Sequence, residues 1–552
     1  MKRLPSLSFN WLTKQRKPLG FLRVSCLAPS VVGNVSTLFS PHNNSCHFTN
    51  VGYKTSHRLL HINSDRPMHD TAPESKKNLE DLHIKASEEN NVQAQVELGV
   101  AYATGENGLK QDFSKSFHYL SMAAEHNHPD ALFYLGYLLL SLGATGKDEN
   151  KAVHYLELAA ELNQPEALFF LGQSYLKGKH GLILDYKKGM TLLDRAAELG
   201  SVDACFNMAV IYHHGLPRLI EPDIARAIQY YERIGNFPNG DAIAQFNLGC
   251  LFRDGVQGTL SADKEKAFQY YKWAADQGQP NAQSELGEAY LVGQEPAHTL
   301  LDASIALKYL EQAAQQGIVS AAYNLGVAYR DGTNLLVTTQ DYAMAMKYFE
   351  MAAEQHYAPA LFNLGVLYFN GRGAERNIKK ALHYFEHAAR HEDADSLAVL
   401  GAIYLEGIQV KRDSLKALEY FQKAAKLGHV DSSFNVGRLY EEGAEGFSPN
   451  YVKAVEYYEL ASKLGCMEAN YNLGCLYVND VEGIPQNLSK ARHYFELAAE
   501  HNDASAQFTL GVMYENGEGV EVNLAKAMTY YEQAAQQNHS KAKERLRDLK
   551  EW

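Results

Sequence analysis

A chain of 552 residues that is 46% apolar and 21% charged has ample material for a packed core, which excludes a wholly disordered protein. Its formal charge of −13 is uneven, with residues 1–74 carrying +6 and the remainder −19. The acidic remainder lacks the basic track that phosphate binding requires, so nucleic acid is not expected as a partner. Nor does any stretch reach the roughly 18–20 apolar residues of a membrane span.

The chain opens with a basic segment. Lys2, Arg3, Lys14, Arg16, Lys17 and Arg23 are set among Ser and Leu, and no acidic residue precedes Asp65. Positive charge that can follow a membrane potential, with a transient amphipathic helix, is the composition of a mitochondrial presequence. Arg23 interrupts the apolar run near the start, which counts against a secretory signal. Residues 1–74 are therefore expected to be a disordered targeting segment for mitochondria, the alternative being a basic tail on a cytoplasmic protein.

From residue 75 the sequence is periodic. A Leu-Gly step places its second residue at Gly99, Gly136, Gly172, Ala209, Gly249, Gly287, Gly326, Gly365, Gly401, Gly437, Gly474 and Gly511, at intervals of 36 to 40 residues. Each step is followed 12 to 15 residues later by Asp or Asn, from Asp112 to Asn523, where a helix N-cap belongs. From that cap to the next step the distance is 24 residues, except for 26 between Asp223 and Gly249. The second helix and its junction with the next unit are thus fixed in length, while the turn inside a unit tolerates insertion. Such helix pairs are too short to bury an apolar face alone and must stack on copies of themselves. Counting by the same interval puts a lone capping helix at 75–92, repeats over 93–538 and a second capping helix at 539–552, whose Arg547 replaces the glycine. Ile234-Gly235 and Pro238 in the long interval predict a second helix that ends early and a local disturbance of the stack.

The pattern LG-x-x-Y, a Gly-bearing turn, then [DN]-x-x-KA-x-x-Y-x-x-x-AA resembles the Sel1-like repeat, a relative of the tetratricopeptide repeat. The resemblance implies an all-α fold, an α/α solenoid of about twelve repeats in a right-handed superhelix, with the first helices on the concave face. It also implies a non-enzymatic adaptor for protein partners, without a cofactor. Within that family, a cytoplasmic signalling adaptor is the alternative to a mitochondrial scaffold.

Three patterns bear on function. Asn207, Asn247, Asn324, Asn363, Asn435 and Asn472 all stand just before the Leu-Gly step. One residue round from a buried leucine, such amides would flank the inner surface and could grip the backbone of an extended peptide; a local structural bond is the competing reading. In related tetratricopeptide domains asparagine at this place holds a bound peptide, although the basic residues that clamp a chaperone tail are missing here. His383-x-x-Glu386-His387 matches the inverted zinc-peptidase string, but its places are repeat positions filled elsewhere by Lys, Gln or Met, so a solvated helix face is expected and a zinc hydrolase is the remote alternative. Lys or Arg recurs three residues after the cap and is expected to be balanced by a downstream Glu. Six scattered Cys form no disulfide framework in this reading.

Overall fold

The computed structural model describes residues 73–550 except 107–108, 144–146, 217–218, 257–259, 293–302 and 333–338. The basic targeting segment therefore lies, up to residue 72, outside the described residues. Among those described are 26 α-helices and no strand beyond four isolated bridges inside turns. The helices fall into two compact bodies, one ending at Gln312 and the other beginning at Ala313.

One unit of the second body shows how the sequence dictates the pair. Its first helix, A, is Ala358–Asn370, and Gly371 ends it in the left-handed conformation at φ 69°. The second helix, B, is Ile378–Arg390; the side chain of Asn377 accepts the Lys380 N–H at 3.0 Å and satisfies one orphan donor of the first turn. The same bond to the third residue is made by Asp112, Asp185, Asp223, Asp263, Asp341, Asp413, Asn450, Asn487 and Asn523. At Asp148 the helix already starts at Lys147, so this residue lies within the first turn rather than before it.

The glycine of the Leu-Gly step lets A and B approach. A Cβ added to Gly365 would lie 2.5 Å from the Phe385 ring, and Phe385 is fully buried. Beside this contact the tyrosine of LG-x-x-Y stacks on the tyrosine of helix B, as Tyr368 does on Tyr384 with centroids 5.6 Å apart. The lysine after the cap then sits over the first ring: Lys380 is 4.9 Å from the Tyr368 centroid and Lys416 4.0 Å from that of Tyr404. The expected partner of this basic row, a downstream glutamate, is thus corrected to an aromatic face within the same unit.

Consecutive units meet through the alanine pair of helix B. In the first body Ser201 N–H donates to the Ala196 carbonyl and opens the next helix A. At the long interval helix B, Ile224–Gly235, has 12 residues, as has Tyr342–Ala353 at an ordinary interval, so its length does not set it apart from the other B helices. The junction bond also survives, from Asp241 N–H to the Ile234 carbonyl at 2.8 Å. The two extra residues are taken up in the turn before Asp241, beside a cleft of about 800 Å³ lined by Val202, Cys205, Arg233 and Phe237 among others.

Candidate interaction surface

Helix A is packed on most sides, which leaves a narrow outward stripe. In Ala358–Asn370 the half-buried residues after the first turn's start are Pro359, Phe362 and Val366, at the three-to-four spacing that lines one face. In this unit the stripe is apolar, whereas Arg438 holds the place of Val366 in the unit of Phe434. In the second body Tyr323, Phe434 and Tyr471 occupy the place of Phe362, and all are half-buried. Each ring leans on the B-helix aromatic beneath it: Tyr323 on Phe349, Phe362 on Phe385, Phe434 on Tyr458 and Tyr471 on Phe495, with centroids 5.5–5.8 Å apart. The rings are therefore held in fixed positions with an edge to solvent. In the first body Phe206 and Val210 present the same pair of positions, half-buried.

Sequence reading missed this row, although its signal is plain. Nine of the twelve units have Phe or Tyr two residues before the leucine of the step. Four of these nine, Phe133, Phe169, Phe246 and Phe508, are buried, so the place in the repeat does not by itself say which rings reach the surface.

The asparagine row lies beside the stripe but is largely turned into the fold. Asn207, Asn247, Asn363 and Asn435 are buried, and Asn324 and Asn472 are half-buried. Asn207 Nδ2 donates to the Asp203 carbonyl of its own helix at 2.7 Å. Asn247 Nδ2 bonds the buried hydroxyl of Tyr231 in the preceding helix B at 3.2 Å. Asn363 is the most fully engaged, since its Nδ2 donates to the Pro359 carbonyl at 2.7 Å and its Oδ1 accepts from Arg330 of the preceding helix A at 2.5 Å. At Asn363 the peptide grip thus gives way to the competing reading, a local structural bond. The cause is position, because a side chain one step round from a buried leucine points at the neighbouring helix A, where an unpaired amide would be costly. Asn363→Ala should consequently lower stability by about 1–3 kcal/mol, read from the urea midpoint, because Arg330 and the helix lose a partner.

The HxxEH string is on helix B, facing away from the stripe's rings. His383 is exposed, Glu386 and His387 are half-buried, and the two imidazoles are 6.4 Å apart. What the sequence did not bring together is a different set. His391, one turn after His387, and His356, from the turn before helix A, place their rings 5.5 and 5.2 Å from that of His387. Burial first, then the neighbouring His356 and His391, holds His387 below its ordinary pKa. The four cysteines among the described residues are free thiols. Among the same residues no helix is long and apolar enough to cross a membrane.

Comparison with known proteins agrees with this architecture. Solved structures of similar fold include a protective antigen of uropathogenic Escherichia coli displaying an SLR fold, 26% identical, with a TM-score of 0.61 over 79% of this chain and 90% of that one. A Sel1 repeat protein from Oxalobacter formigenes is 27% identical, with a TM-score of 0.46 over 58% of this chain and 90% of the other. No curated protein matches the chain significantly. The Sel1 repeat model matches twelve successive segments from residue 92 to residue 539, each covering one A/B pair or most of it. With its glycine contacts, caps and paired helices repeating unit by unit across that span, the chain belongs to the Sel1 repeat family.

Proposed function

We propose that this protein is a non-enzymatic scaffold that binds a segment of a protein partner along the aromatic stripe of its A helices, and that its basic N-terminal segment directs it to mitochondria. The observation that carries the first part is the row Tyr323, Phe362, Phe434 and Tyr471, rigidly backed and half-exposed in successive or nearby units of one body. Fixed aromatic edges offer contact area at little entropic cost, which is what binding hot spots use. Sel1 repeats mediate protein interactions, and several repeats within one body supply a surface on which many modest contacts add. With −19 formal charges beyond residue 74, a segment that mixes apolar and basic side chains is the complementary partner. The asparagines serve mainly to hold the A helices in register in this reading.

The test uses Val366, which lies on the stripe and is half-buried, so that a glutamate there can turn its carboxylate to water. Purified full-length protein and the Val366→Glu variant would be presented with the same library of tiled peptides. Peptides bound by the unmodified protein should lose about 1–3 kcal/mol of affinity for the variant, with its melting temperature unchanged. Equal binding of the same peptides by both would remove the stripe from consideration. The targeting part is tested separately by fusing residues 1–74 to a fluorescent reporter, and a reporter that stays in the cytosol refutes it.

A further inference from the structure

One repeat junction in the second body differs from the rest in its histidines. The turn that leads from helix B to the next helix A carries a left-handed residue; at Gly317, Gly428, Gly465, Asn502 and Asn538 this is the glycine or asparagine such a backbone favours, and Glu392, at φ 59°, departs from it. After helix Tyr342–Ala353 the same position is His356, at φ 60°. An imidazole is not what the turn needs. One unit later helix Ile378–Arg390 ends with His387 followed, one turn on, by His391 at its C-cap, so both rings emerge from the same side.

The ring nitrogens of His356, His387 and His391 all lie within 4.8 Å of one another. Around an ion with metal–nitrogen bonds of about 2.0–2.1 Å in tetrahedral geometry, they would stand about 3.3 Å apart. His356 and His391 are exposed, so rotation of their side chains can close the remaining gap of at most about 1.5 Å. Three imidazoles without a thiolate or carboxylate suit zinc, copper or nickel; calcium and magnesium demand oxygen ligands.

We propose that His356, His387 and His391 bind one transition-metal ion of the zinc class, which ties the turn of one repeat to the second helix of the next. An ion that binds only the folded arrangement stabilises it by mass action, so this junction becomes firmer as the metal is supplied. The site differs from the one the HxxEH string would suggest, because His383 lies outside the group and His391 inside it. It is independent of the aromatic stripe.

The experiment uses untagged full-length protein, freed of metal by a chelator and titrated with zinc chloride by calorimetry at neutral pH. One zinc per chain and a rise in melting temperature with zinc are expected. His391→Ala and His356→Gly should each weaken binding by at least the roughly ten- to hundredfold that loss of a residue merely supporting a metal ligand produces. His356→Gly installs the residue that the preceding turn uses at Gly317, so it should preserve folding while it removes the ligand. His383→Ala should bind zinc unchanged. Absence of binding to the unmodified protein overturns the proposal, as does zinc retained with full affinity by both His356→Gly and His391→Ala. Zinc lost with His383→Ala but kept with His391→Ala would move the ion to the HxxEH string and equally overturn the assignment.

Discussion

Replacing Gly365 by valine is expected to destabilise the second body by about 3 kcal/mol or more, the upper part of the range for overpacking a tight core. The reason is geometric. A Cβ at this position would stand 2.5 and 2.7 Å from two carbons of the Phe385 ring, and valine adds two further methyls. Phe385 is fully buried and supports Phe362 on its outer side, so it cannot swing clear without disturbing the stripe. Alanine should be milder, because the fourth repeat already carries Ala209 at the equivalent place opposite a fully buried Tyr231. Since each repeat contacts mainly its neighbours, the damage should be local. Amide exchange should accelerate through Ala358–Asn370 and Ile378–Arg390 while Leu524–Gln536 keeps its protection. A valine variant that unfolds at the same urea concentration as the unmodified protein would show that close approach is not what this glycine provides.

The same residues show where sequence suffices and where it stops. The caps and glycines were legible because each answers to a constraint within one unit: an orphan N–H to satisfy, or a helix that must come near. Their spacing then gave the repeat count and the sites of the turns. Features that depend on how one unit is rotated against the next were not legible. Asn363 reads as a free amide until Arg330, 33 residues earlier, is seen to reach it. Lys380 reads as half of an ion pair until Tyr368 is found beneath it. The long interval after Asp223 predicted disturbance from Pro238 and Gly235, but the turn absorbs the insertion and the Asp241–Ile234 bond keeps the junction. His356 and His391 are 35 residues apart and meet only because the turn before helix A comes back beside the end of the following helix B. The interaction stripe is an intermediate case, since its aromatics repeat visibly, but nothing in their spacing says that one edge of each ring faces water.

Breaking the ion pair at the C-terminal cap should cost about 3–5 kcal/mol, the largest effect expected from any single side-chain deletion at that end. In the last helix, Ser540–Lys550, Arg545 stands where the repeats place asparagine before leucine, and its side chain is 9% exposed. Glu515, in helix Ala504–Asn516, is 10% exposed and accepts from Arg545 Nε at 3.0 Å and from the Tyr531 hydroxyl at 2.7 Å. Glu515→Ala leaves the Tyr531 hydroxyl without its acceptor and the buried Arg545 guanidinium with only the exposed Asp548 carboxylate, 3.6 Å away, as a partner. The helix should then fray and expose Phe508, Tyr531 and Leu546, which form the terminal core. The alternative to unpaired charge is no charge at all. A Glu515→Leu/Arg545→Met double variant fills the same space with apolar atoms and should recover most of the loss, because burying two charges offsets much of their attraction. A double-mutant cycle read from urea unfolding measures this directly. Strong coupling with a nearly neutral double variant is the expected result. If Glu515→Ala alone costs less than about 1 kcal/mol, the pair behaves as an exposed surface bridge and the terminal helix is held by Ala542 and Leu546 instead.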